Sequence, residues 1–166
     1  MVCHSSLTYI NHQQIKPINT ETFDNDIGIV NPNFNPSDES KWSYINIDKI
    51  YDYILSIGMK PWVELDMMPK TFVPSYQISK MYDRPVYTGP PSNLTLWNRF
   101  ISSFIQHLTD RYGSDEISQW YFEAWNEPDC AQNWYQQNIT TFEQTWKVTA
   151  AAIKAINKTY NIGGPG

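Results

Sequence analysis

The chain has 166 residues, 41% of them hydrophobic and 15% aromatic, enough apolar side chain for one packed domain and too much for a disordered segment. Its 12 basic and 17 acidic residues leave a formal charge of −5 and form no basic stripe, so neither nucleic acid nor an anionic membrane is expected as a partner. No apolar run approaches the roughly 20 residues that span a bilayer, and Met1–Leu7 lacks the charged and apolar regions of a secretory leader.

The two cysteines, Cys3 and Cys130, make neither a disulfide framework nor a metal-ligand spacing; they are read as free thiols, and no metal or cofactor is expected. Sequons at Asn93, Asn138 and Asn157 suit a secreted or lysosomal protein, although an Asn-rich chain also acquires such triplets by chance. Asn157 falls near an expected helix end, where it can serve as a cap.

In chain order, Val2-Cys3-His4-Ser5 is too short to assign from its pattern. Residues 11–41 are polar, with Asn31-Pro32-Asn33-Phe34-Asn35-Pro36 as a turn signal, and read as a long loop. Ile47, Ile50, Tyr51, Ile54 and Leu55 then recur at helical spacing; Asn46 is the expected cap and Gly58 the left-handed residue that ends the helix. Lys60–Pro69 is a short apolar run between prolines, which fits a strand of about six residues. Residues 69–93, with five prolines, read as a second long loop.

A second helix is expected where Leu96, Trp97, Phe100, Ile101, Phe104, Ile105 and Leu108 form an apolar stripe, capped by Asn93 or Thr95 and ended by Gly113. The next strand, 119–125, is the focal one. Its aromatic run Trp120-Tyr121-Phe122 leads to Trp125-Asn126-Glu127-Pro128, so that a strand stopped by proline delivers an amide and a carboxylate at its end. Thr140-Thr141-Phe142-Glu143 has capping-box spacing and opens a third helix with Phe142, Trp146, Thr149, Ile153 and Ile156 on one face. Tyr160–Pro165 reads as the start of another strand. Strict alternation of strand and helix, with the long loops after strands and no Gly-rich phosphate turn, indicates a parallel sheet of the (β/α)₈ barrel type rather than a dinucleotide fold.

Trp125-Asn126-Glu127-Pro128 after Trp120-Tyr121-Phe122-Glu123 resembles the acid/base strand of glycoside hydrolase family 39, which includes β-xylosidases and α-L-iduronidases. Gly58-Met59-Lys60-Pro61-Trp62-Val63-Glu64 with Met68-Pro69-Lys70 resembles that family's third strand, Arg111-Tyr112-Gly113 its third helix, Gly163-Gly164-Pro165 its fifth strand, and Cys3-His4 the end of its second. The resemblance covers residues 42–166 and implies a partial TIM barrel, from the end of strand 2 to the start of strand 5. It implies that residues 1–166 are an incomplete hydrolase catalytic domain.

The resemblance also implies roles. Glu127 takes the general acid/base position of a retaining hydrolase acting on a glycoside substrate, and Asn126 the position that binds the sugar 2-hydroxyl. His4 matches a sugar-lining histidine. Trp134, just after the catalytic strand, is a candidate stacking surface for a sugar ring, with ordinary loop packing as the alternative. The family nucleophile, a Glu on the seventh strand, has no counterpart in these 166 residues, so the isolated chain is expected to be inactive. Glu64 and Glu123, inside apolar strands, are expected to hydrogen bond within the barrel, and Trp97, Phe100 and Trp146 to pack in the core. A β-xylosidase-like specificity is favoured by Met68-Pro69-Lys70; an α-L-iduronidase-like hydrolase and a non-catalytic sugar-binding or vestigial half-barrel are the alternatives. The sequence leaves the oligomeric state open.

Overall fold

A computed structural model describes residues 35–66, 68–73, 78–81, 84–125, 128–129 and 138–164, and for 78–81 and 84–86 the backbone alone. The described chain opens with a turn and a single 3-10 turn, Glu39–Lys41, whose start is capped by the Asp38 side chain. The first helix, α1 (Ile45–Ser56), buries Ile47, Tyr51 and Ile54, as its periodicity requires. Its N-cap is Tyr44 rather than the expected Asn46, and no side chain caps it. The Tyr44 ring is stacked on His107 at 3.8 Å and 8°, so tertiary packing sets where this helix begins. Its end follows the sequence expectation. Gly58 has φ +79°, its N–H donates to Leu55 C=O and that of Met59 to Ile54 C=O, the paired bonds of a Schellman motif.

Strand β1 (Trp62–Glu64) is half the expected length, although ladder bonds continue past it: Tyr121 N–H donates to Pro61 C=O and Leu65 N–H to Glu123 C=O. The stretch 69–93, read from its prolines as loop, instead holds a 3-10 turn at Lys70–Phe72 and an antiparallel ribbon of β2 (Ile78–Met81) and β3 (Arg84–Tyr87). Pro85, opposite Lys80, is tolerated because a two-stranded ribbon leaves every strand one edge without a ladder partner. The ribbon is tied back where Met68 N–H donates to Tyr87 C=O at 3.2 Å and Ser92 N–H to Phe72 C=O at 2.7 Å.

Helix α2 (Leu94–Tyr112) starts at the expected cap. Asn93 Oδ1 accepts from the N–H groups of Thr95 and Leu96, both at 3.0 Å. It ends at Gly113, φ +83°, which also begins a one-turn helix that the sequence reading missed, α3 (Ser114–Ile117). Strand β4 (Tyr121–Glu123) follows, then α4 (Ile139–Ile156) and β5 (Asn161–Gly163). The capping box expected at Thr140 is not the cap of α4: Asn138 holds that place, its Oδ1 accepting from Thr141 N–H at 3.1 Å, and Thr140 lies inside the helix. At the other end Asn157 is the C-cap, as read.

The three strands β1, β4 and β5 form one parallel sheet in the order β1-β4-β5, pairing Val63 with Phe122 and Phe122 with Ile162. Helices bury their apolar stripes against one side of it. The core holds Val63 and Phe122 from the sheet with Trp97, Phe100, Phe104 and Leu108 from α2 and Ile153 from α4. Inside it the Trp97 indole N–H donates to Thr149 Oγ1 at 2.9 Å, which satisfies a buried polar group across the α2–α4 contact. Trp146 is only half-buried, a departure from the core role expected of it. At the N-terminal ends of the strands Lys60 Nζ bonds both Glu116 carboxyl oxygens, and the buried Trp120 donates its indole N–H to Glu116 Oε1 at 2.9 Å.

Two outcomes test this architecture. Asn93→Ala should lower the unfolding free energy by about 1 kcal/mol in denaturant titrations, whereas Asn93→Asp, which keeps the acceptor, should cost much less. Burial pushes the Glu116 carboxyl up, but the bonds from Lys60 and Trp120 more than reverse this and hold it below its ordinary value of 4.5. Its contribution is therefore complete above about pH 4.5 and lost as pH falls through the lower folded-state value. Glu116→Gln should flatten that acid limb in a series of melting temperatures against pH.

Candidate active site at the end of the central strand

β4 is the central strand, paired on both edges, and its side chains alternate between two environments. Phe122 faces the helices, while Tyr121 and Glu123 share the opposite face with Trp62 and Glu64, their register partners on β1. On that face Trp62 stacks on Tyr121, with centroids 5.3 Å apart, and donates its indole N–H to Glu123 Oε2 at 2.7 Å. Glu64 and Glu123 are each only 5% exposed, and for Glu123 the expected hydrogen bond within the sheet interior is present. Tyr121, by contrast, is 43% exposed, so the strand is not buried along its whole length as its aromatic run suggests.

The direction of the chain changes at Trp125. Ala124 N–H still donates to Gly163 C=O at 3.2 Å, but Trp125 has φ +71°, the only positive φ at a non-glycine among the described residues. That conformation costs a bulky residue about 1–3 kcal/mol. Burial of the indole offsets the strain: the residue is 4% exposed and lines a small apolar cavity with Leu65, Met68, Trp97 and Phe142. The strand thus ends in a corner, beyond which Pro128 and Asp129 form a turn with Pro128 buried.

On the neighbouring strand Gly164 has φ +95°, and a Cβ there would stand 3.0 Å from Glu123 Cγ and 3.3 Å from Ala124 N. Only glycine supplies both the conformation and the space, so this residue lets the end of β5 close against β4. Asp66, two residues past β1 and 1% exposed, completes the set of buried carboxylates near these strand ends. Among the described residues no group of His, Cys, Asp and Glu could hold a metal ion.

Of the residues singled out by sequence, Asn126, Glu127, His4 and Trp134 all lie outside the described residues, as do Cys3 and Cys130. The structure describes what leads up to Asn126 and Glu127, the corner at Trp125 that directly precedes them. Sequence reasoning missed three contributors: Trp62, Trp125 and Gly164. Trp62 had a signal in its position two residues before Glu64, which puts both on one strand face. The positive φ of Trp125 had none, because tryptophan is a poor left-handed residue.

The sequence profile of Glycosyl hydrolases family 39 matches residues 4–166. The β-xylosidase of Caldicellulosiruptor saccharolyticus is 34% identical over 124 residues, which make up 75% of this chain and 25% of that protein. The α-L-iduronidase of Mus musculus is 22% identical over 133 residues, 79% of this chain and 19% of that one. Among solved structures, a monomeric β-xylosidase from Caulobacter crescentus CB15 superposes with a TM-score of 0.69 at 36% identity, covering 75% of this chain and 24% of its own. The chain therefore spans about a quarter of the length of these β-xylosidases. Its parallel sheet and alternating helices match part of their barrel, and the chain belongs to glycosyl hydrolase family 39.

Proposed function

We propose that these residues are the acid/base part of a retaining, β-xylosidase-like glycoside hydrolase, running from the end of barrel strand 2 to the start of strand 5. The supporting observation is the place of β4: the central strand of a parallel sheet, ending at a strained, anchored corner directly before Asn126 and Glu127. Active sites of barrel enzymes lie at the C-terminal ends of such strands. The β-xylosidase reading draws on relatives of that description at 34% and 36% identity over 75% of the chain, against 22% over 79% for the mouse iduronidase and 30% over only 42% for the human one.

In this reading Glu127 protonates the glycosidic oxygen as the bond to the anomeric carbon breaks, then deprotonates the water that releases the sugar. Asn126 holds the 2-hydroxyl, a contact that strengthens as positive charge develops on the ring. His4 and Trp134 line the sugar. The second carboxylate, standing about 5–5.5 Å from the first in a retaining enzyme, keeps Glu127 protonated by its charge until it attacks and is neutralised. It comes from a later barrel strand, so the 166 residues alone supply one of the two carboxylates.

Two measurements test this. The 166-residue chain should release no aryl alcohol from aryl β-xylosides, and release that vanishes in Glu127→Ala would mean that a nucleophile is present after all. Joined at Gly166 to the later strands of a family 39 β-xylosidase, the chain should hydrolyse these substrates. Glu127→Gln should then lower kcat/KM by about 10²–10⁴ on poor leaving groups and much less on activated ones that depart without a proton, while kcat on the activated ones still falls because the second step has lost its base. Undiminished turnover of poor leaving groups would remove Glu127 from the role.

A further inference from the structure

The three sequons, alike in sequence, differ in what the fold does with each asparagine. Asn93 and Asn138 are both exposed and both cap a helix through Oδ1 alone, so Nδ2 stands outside the cap. Among the described residues neither amide nitrogen donates to a partner. Aspartate or serine would cap these helices as well as asparagine does. The two positions nevertheless carry asparagine, with an exposed threonine, Thr95 or Thr140, two residues on. Asn157 is half-buried. Its Nδ2 donates to Ser114 Oγ at 2.6 Å and its Oδ1 accepts from both the N–H and the hydroxyl of Thr159, each at 2.9 Å, so its amide and its own sequon threonine are engaged in the joint between α3 and α4.

We propose that Asn93 and Asn138 are acceptor sites for an N-linked oligosaccharide and that Asn157 is not. The donor class is an oligosaccharide on a polyprenyl diphosphate. Nδ2 attacks the anomeric carbon, the new C1–Nδ2 bond forms as the C1–O bond to diphosphate breaks, the diphosphate leaves with the electron pair, and one Nδ2 proton passes to a base of the transferase. At Asn93 and Asn138 the product keeps Oδ1 and therefore the cap. At Asn157 the sugar would have to enter where Ser114 packs against the nitrogen.

The two accepted sites share a side of the molecule. Helices α2 and α4 each lie between parallel neighbours of the sheet, α2 between β1 and β4 and α4 between β4 and β5, so both begin toward the end where β1 and β4 finish, whereas Asn157 lies at the far end of α4. The glycans would stand on the rim of the strand-end face. This inference does not depend on the role given to Glu127.

The test is expression of the full chain behind a secretory leader in a eukaryotic host, with an unrelated accepted sequon fused at the C-terminus as a control. Glycans are released by an amidase in heavy-oxygen water and the peptides are read by mass spectrometry. The heavy-isotope mark is expected on Asn93 and Asn138 and not on Asn157. Thr95→Ala and Thr140→Ala, which destroy the sequons and leave both caps in place, should each remove one step of the gel shift. Unmarked Asn93 and Asn138 beside a marked control, or a mark on Asn157 in folded, secreted protein, would overturn the proposal.

Discussion

The functional end of this chain depends on one constraint: β4 must be hydrogen-bonded on both edges while its two faces do different work. Phe122 points into the helix-covered core, while Tyr121 and Glu123 meet Trp62 and Glu64 on the other side. Such a strand tolerates no slip in register, because a shift of one residue would put Glu123 among the aromatic side chains of α2 and expose Phe122. The Trp62 indole pins the register by bonding Glu123 across the β1–β4 pair, and Gly164 removes the side chain that would otherwise push β5 away.

Features set by local chemistry were legible in the sequence. The stripes of α1, α2 and α4 follow from spacing, and Gly58, Gly113 and Asn93 do what their residue types do at helix ends. The failures occur where distant contacts override a local rule. Tyr44 displaces Asn46 at the start of α1 because His107, about 60 residues away, offers its ring a stacking partner. At α4 two local signals compete within three residues, and Asn138 prevails over Thr140. The ribbon of β2 and β3 was hidden because proline was weighed as a breaker, and a two-stranded ribbon has edges that accept it. For the candidate site, sequence and family resemblance name the proposed carboxylate, while the corner that precedes it is a property of packing. Trp125 shows why. Nothing in its identity signals the left-handed corner that its burial holds in place.

The two ends of the sheet are stabilised by different physics. At the N-terminal ends of the strands the fasteners are polar: Lys60 with Glu116, Trp120 with Glu116, and Asn161 Nδ2 donating to the Ser118 and Trp120 carbonyls. At the C-terminal ends close contact adds to the bond from Trp62 to Glu123, with the Trp125 ring set among Leu65, Met68 and Phe142 and the Gly164 backbone against Glu123. This division suits a barrel. Ion pairs and caps at one end hold the strands in place away from the buried carboxylates Glu64, Asp66 and Glu123 that gather toward the other. An apolar anchor at the C-terminal end fixes the backbone and leaves the local electrostatics to the carboxylates gathered there. A corner held by packing is also stiffer than one held by exposed ion pairs, because close-packed side chains cannot shift without opening a void. On the proposed reading, that stiffness is what Glu127 needs as a proton donor whose reach to the glycosidic oxygen is a single hydrogen-bond length.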